Sequence, residues 1–276
     1  MKLKVIGVLA GSLMCSTAFA AKSDFTGYYA GVRAGGMVTQ AKVENNTSAT
    51  FVNQYDSDNQ LSVNGSNNVW NNSLAGDLFF GYGKFVNNSR FYLGGEGFVE
   101  LANPEGTLAM SSYHQQPNDD DDRQTLSTNT TASLDHIGFG VDFRPGYLLD
   151  SRTLVYGRVG LAFNRETIDA KNTFTFYNIP DDITTNNTLN TSKTRDTIGI
   201  RLGFGAERRI NSKLAVTVDY VYTDYGRVKV FGMGDVTTDY PGDMLITSTV
   251  TNGFVNSSNG SLVTQTLMFG LKYNIA

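Results

Sequence analysis

Two histidines, His114 and His136, are the chain's means for proton-transfer or nucleophilic chemistry, which needs an imidazole aimed at a serine or carboxylate. His136 is followed by Ile137-Gly138 and lacks an adjacent serine, while His114 lies in the polar run Ser112-Tyr113-His114-Gln115-Gln116. Both read as solvated or satisfied side chains, and no catalytic residue is assigned. The run Asp119-Asp120-Asp121-Asp122 has the hard oxygen donors of a cation site but neither the alternating spacing nor the glycine of a Ca²⁺ loop. It reads as a solvated acidic tip, with weak divalent-cation bridging as the functional alternative. Gly232-Met233-Gly234 opens no helix and so makes no nucleotide cradle. No cofactor and no metal are expected. What remains is a set of charges at alternate positions of half-apolar segments: Arg33, Asp77, Glu96, Glu100, Asp142, Arg144, Arg158, Arg201, Glu207, Asp219 and Lys272. Their chemistry is mutual ion pairing, provided the fold carries them away from water.

The elements that must position these charges are strands, because odd and even residues separate by polarity in eight segments. These span 27–40, 74–84, 90–101, 136–148, 154–164, 197–208, 214–222 and a last run over 267–275. In 197–208, for example, Ile198, Ile200, Leu202, Phe204 and Ala206 oppose Gly199, Arg201, Gly203, Gly205 and Glu207. In seven of the eight segments the charges named above share a face with glycine, Asp219 lying instead with Ala215 and Thr217, and the other face is mainly aliphatic and aromatic. A soluble sandwich has the same period with the apolar face as its core. Glycine is rare on solvated strand faces, whereas a narrow barrel interior needs small residues beside large ones, so the pattern favours apolar side out and polar side in. The five basic and six acidic inward groups nearly cancel. Counted from the short turns, Arg33, Glu96, Asp142, Arg144, Arg158 and Asp219 fall at similar heights, which predicts an interior salt-bridge network that plugs the barrel. A gated conduction path through them is the functional alternative.

Composition agrees with this reading. Among 276 residues, 29 Gly and 12% aromatic residues accompany only 17% charged residues and 5 Pro, the signature of strands and polar turns. A formal charge of −4 and a sequence pI near 5.2 deny the broad basic surface that nucleic acid requires. Residues 1–20 run from Met1-Lys2-Leu3-Lys4 through an apolar stretch to Ala18-Phe19-Ala20, which reads as a cleaved signal peptide, leaving 21–276 as one barrel domain. Cys15, the only cysteine, lies inside that segment, so the exported chain has no disulfide.

The connections alternate strictly between short and long. Asn87-Asn88-Ser89, Asp150-Ser151-Arg152 and Asn211-Ser212-Lys213 are tight turns, and long polar segments fill 41–73, 102–135, 165–196 and 223–264. Short turns at one rim and long loops at the other, with an even strand count, is the topology of an outer-membrane barrel. Tyr28, Tyr29, Tyr82, Phe85, Phe91, Tyr92, Tyr147, Tyr220, Tyr222 and Tyr273 lie near strand ends and read as interfacial girdles.

From Thr26 onward the chain resembles the OmpA-like, opacity-type family of eight-stranded outer-membrane β-barrels. The resemblance is carried by Gly27-Tyr28-Tyr29-Ala30-Gly31-Val32, Arg201-Leu202-Gly203-Phe204-Gly205-Ala206-Glu207, Asp219-Tyr220-Val221-Tyr222-Thr223-Asp224-Tyr225 and Phe269-Gly270-Leu271-Lys272-Tyr273-Asn274-Ile275. It implies an all-β, eight-stranded antiparallel up-and-down transmembrane barrel with four long extracellular loops and short periplasmic turns. It further implies a non-enzymatic envelope protein of the bacterial outer membrane, monomeric, in contact with outer-membrane lipids and lipopolysaccharide. Its loops would meet a host or environmental surface ligand, in adhesion for example. A small porin conducting ions or small solutes is the alternative function.

Overall fold

The computed structural model describes residues 25–53, 56–87, 89–115, 123–178, 183–238 and 250–275. The proposed signal segment, the acidic run 119–122 and parts of the long connections lie outside them. Among the described residues ten strands occur in chain order: β1 (Gly27–Asn53), β2 (Asp56–Phe85), β3 (Phe91–Ala102), β4 (Glu105–Gln115), β5 (Arg123–Leu134), β6 (Ile137–Leu148), β7 (Thr153–Asn178), β8 (Ile183–Arg209), β9 (Leu214–Thr238) and β10 (Val250–Ile275). The order β1-β2-β3-β6-β7-β8-β9-β10 closes through the β1–β10 pair, and every pairing is antiparallel. Closure satisfies the strand edges that lipid would otherwise leave without partners.

The four long segments expected as loops are largely sheet, and the structure corrects that reading. β1 and β2 stay in one register from Gly27↔Gly83 to Phe51↔Asn59 and shift only at the tip. β7 and β8 remain paired from Thr153↔Arg208 to Asn178↔Ile183. The second connection adds the β4–β5 hairpin, and β5 continues the wall above β6 by pairing with upper β7, Leu134↔Glu166 to Arg123↔Tyr177. Strand geometry outlasts the lipid, while the apolar face that reveals a strand in the sequence ends with it. Along β7 the outward residues change from Val159, Leu161 and Phe163 to Arg165, Thr167 and Asp169 without a break in pairing.

The outward face of the lower barrel is uncovered hydrocarbon. Leu74 is 84% exposed and Phe204 65%, with Ile137, Phe139, Ile198, Ile200 and Phe269 all above half. A soluble domain does not present such a belt, whereas a bilayer solvates it. The short turns are closed by side chains acting as local caps. The Asp150 carboxylate accepts from the Arg152 N–H at 2.7 Å, and the Asn211 carbonyl accepts from the N–H groups of Lys213 and Leu214 at 2.9 and 2.8 Å. Asn87 adopts φ +41°, a left-handed turn position that asparagine tolerates.

Inward glycines make room for large side chains. A Cβ at Gly140 would strike the Leu161 carbonyl oxygen and the Phe98 ring, and one at Gly83 would strike the Tyr92 ring. The glycine and aromatic residues of the inner face are therefore complementary parts of one packing.

Candidate functional site

All eleven inward charges are buried in the lumen, and they are tied together from strands on opposite walls. Glu96 on β3 is the hub. One carboxylate oxygen accepts from Arg33 of β1 at 2.7 Å and from Arg158 of β7 at 2.6 Å, and the other accepts from Arg144 of β6 at 2.7 Å. Arg33 also donates to both oxygens of Asp77, at 2.8 and 3.0 Å. Arg158 donates to Asp142 through Nε at 3.0 Å and to Asp219 of β9 at 2.9 Å. The six residues placed at similar heights by counting thus form one connected cluster.

The other five charges extend it. Arg201 lies 3.2 Å from Glu100 and 3.5 Å from Asp142. Lys272 meets Glu207 at 2.5 Å, and Glu207 lies 3.7 Å from Arg144. Charge-assisted, forked contacts of this kind are the strong class of hydrogen bond, and burial without them would be prohibitive.

Aromatic rings complete the packing, and sequence reasoning missed them. The Arg144 guanidinium lies 3.9 Å from the Tyr156 ring centroid and donates to the Tyr29 hydroxyl at 2.9 Å. Arg33 covers Phe79 at 4.2 Å and Arg201 covers Phe98 at 4.0 Å, while Tyr156 donates to Asp219 at 2.9 Å. Tyr29 and Tyr92, expected in the outer girdle, are instead buried inside, and Phe85 packs edge-on against Tyr92. Parity held the signal, since Tyr29 shares its face with Gly31 and Arg33. Tyr28, Tyr82, Phe91, Tyr147, Tyr222 and Tyr273 do face outward and are exposed. Arg209, two residues after Glu207, is another inward cation, 5.2 Å above the Phe25 ring.

Apolar layers enclose the charges. At the short-turn end Phe25, Tyr92, Leu148, Leu154 and Tyr156 form a buried cluster. Toward the other rim Ala41, Ala132, Leu134, Ile168, Tyr225 and Leu262 converge from β1, β5, β7, β9 and β10. Between them Arg144, Arg158, Arg201, Tyr29 and Lys272 are each under 2% exposed.

Above the lipid-facing belt, Glu166 is buried with the Arg195 guanidinium 3.6 Å away. Burial pushes its carboxyl up from 4.5 to about 7, against the opposing pull of Arg195. A carboxyl with a raised folded pKa holds more protons folded than unfolded across that interval, so its contribution to stability falls as pH rises from about 4.5 to about 7. The urea midpoint should therefore be lower at pH 8 than at pH 5, and Glu166→Gln should remove that part of the difference; an undiminished difference would place the titration elsewhere.

His136 is exposed at a bend before β6, and its carbonyl accepts from the Ala102 N–H at 3.0 Å. His114 belongs to β4 opposite Gln124, and its side chain lies outside the described residues. Among the described residues, no group of three or more His, Cys, Asp or Glu is arranged to hold a metal ion.

Comparison with known proteins places this architecture. The outer membrane protein beta-barrel domain family matches residues 6–274. The 31 kDa outer-membrane immunogenic protein of Brucella melitensis is 26% identical over 204 residues, covering 74% of this chain and 72% of the relative, and its Brucella suis counterpart matches equally. Among solved structures, outer membrane protein OprG of Pseudomonas aeruginosa is similar at a TM-score of 0.37 and 13% identity, over 90% of this chain and 97% of that one. Eight strands closed into an apolar-out barrel, matched by that family along almost the whole sequence, make this chain a member of the outer membrane protein beta-barrel domain family, resident in the bacterial outer membrane.

Proposed function

We propose that the protein is a non-enzymatic surface barrel whose lumen is a structural plug and whose extended hairpins carry its interactions with other surfaces. The observation behind this reading is the ion-paired lumen, its charges buried between two apolar layers. A filled interior offers substrate no cleft and solute no path, so the surface available for recognition lies above the membrane.

The hairpin walls have suitable chemistry. Exposed hydroxyl pairs run across them, with Thr107 and Thr131 at 3.0 Å, Thr167 and Thr194 at 3.0 Å, and Thr175 donating to Asn186 at 2.7 Å. Such rows stiffen the hairpins and leave polar groups facing outward. The immunogenic name of the Brucella relative fits a family whose upper surface is displayed.

Exchanging the four hairpin tips, 52–55 and 119–122 among them, for two-residue turns should abolish binding of expressing cells to host cells or matrix. The heat-modifiable gel mobility of the barrel should persist. Binding that survives the exchange of all four tips would overturn the proposal.

A further inference from the structure

Among the described residues, the lipid-facing side of the wall carries a marked depression. In the β6–β7 ladder Pro145 stands opposite Gly157, in the register that runs from Phe143↔Val159 to Gly146↔Tyr156. Proline brings no N–H to a ladder and glycine brings no side chain, so the outward surface sinks there. Ala206 extends the floor, and Phe91, Tyr147, Phe204 and Tyr220 form the walls of an apolar hollow of about 600 Å³. That lies within the ~300–1,000 Å³ of ordinary ligand pockets.

Register fixes its depth in the bilayer. Phe91, Tyr147, Val155, Ala206 and Val218 are successive pairing partners across five strands, so they form one row around the wall. Gly157, Phe204, Tyr220 and Leu267 form the next row up. Thr153 and Arg208 pair one row below, next to the short turns. At ~3.3 Å per residue an arginine from that level reaches the mouth of the hollow. The hollow therefore lies in the periplasmic leaflet, with its lower end at the headgroups.

That end is basic. In the turn residues 84–90, 148–153 and 208–213, Lys84, Arg90, Arg152, Arg208 and Lys213 are exposed or half-exposed, against Asp150 as the exposed carboxylate. We propose that this hollow is a binding site for one anionic glycerophospholipid, an acyl chain lying over Pro145–Gly157 and the phosphate held by Arg152 and Arg208. Hydrocarbon surroundings leave a membrane component as occupant, and a second copy docked by the same face would bring two basic rims together.

The test uses protein purified from outer membranes in mild detergent, titrated with phosphatidylglycerol or phosphatidylcholine and read by native mass spectrometry. One phosphatidylglycerol should be retained per chain, about tenfold more strongly than phosphatidylcholine, given two cations at the headgroup. Gly157→Leu should abolish retention of both. A Cβ there meets Pro145 Cγ at 3.8 Å and the Gly203 oxygen at 3.9 Å, ordinary contacts, so the variant folds and its heat-modifiable mobility is unchanged. The double variant Arg152→Gln, Arg208→Gln should keep the acyl-chain component and lower phosphatidylglycerol to the phosphatidylcholine level. Equal retention of the two lipids by the unaltered protein, retention insensitive to Gly157→Leu, or a second protein copy in place of the lipid would each overturn the proposal.

Discussion

Arg158→Met should be the most damaging single substitution in the barrel, lowering stability by about 3–5 kcal/mol, the usual cost of removing one partner from a buried ionic cluster. Arg158 reaches Glu96, Asp142 and Asp219, so its loss withdraws positive charge from carboxylates on three other strands at once. Glu96 would keep Arg33 and Arg144, but Asp142 would be left with Arg201 at 3.5 Å and Asp219 with Arg33 at 3.5 Å and the Tyr156 hydroxyl. A methionine fills much of the volume and returns none of the donors. The measurement is the urea midpoint of the heat-modifiable gel shift. Arg158→Lys should fall between, because an ammonium restores charge without the planar fork that serves separate carboxylates. Adding Asp142→Leu to Arg158→Met should recover part of the loss, since one stranded charge is removed. A midpoint unchanged by Arg158→Met would mean that the cluster contributes nothing to holding the walls together.

The inward charges were legible because alternation assigns a face without any knowledge of pairing: Glu96 and Glu100 fall with Gly94, and Arg201 with Gly203. The closeness of Arg33, Glu96 and Arg158 needed only residue counts from the turns. Aromatic placement was harder, since Tyr28 and Tyr29 are adjacent, equally aromatic and equally near the rim, and height alone sends both to the girdle. Parity separates them, and it leads Tyr29 to Arg144 rather than to lipid. The length of the hairpins was not legible. Above Phe163 the outward face of β7 turns polar with Arg165, Thr167 and Asp169, while inward Glu166 and Asn172 flank Ile168 and Ala170, so the apolar-out, charged-in contrast that marks the lower strand ends there. The lipid-facing hollow depends on Pro145 meeting Gly157 across two strands, a coincidence of register that appears only once pairing is known.

In a planar bilayer the purified barrel should be silent, and Arg158→Met should be silent too wherever it remains folded. Conduction needs a continuous wetted path, and the lumen interrupts it three times. An ion entering from the periplasm meets Phe25, Tyr92, Leu148, Leu154 and Tyr156, a packed apolar layer whose adjoining cations, Arg209 over Phe25 and Arg144 over Tyr156, are already seated on its rings. It would next have to displace guanidinium groups already bonded at 2.6–3.0 Å to fixed carboxylates. Beyond them Ala41, Leu134, Ile168, Tyr225 and Leu262 form the second apolar layer. Loss of one arginine frees the middle barrier and leaves both outer ones, so the channel reading requires more than a neutralised charge. Combining Arg158→Met with Tyr92→Ala and Leu262→Ala removes one element from each level, and brief openings should arise there first if the barrel still forms. Reproducible openings in the unaltered protein, altered by Arg158→Met, would instead make the charge cluster a selectivity path and displace the plug as the account of this lumen.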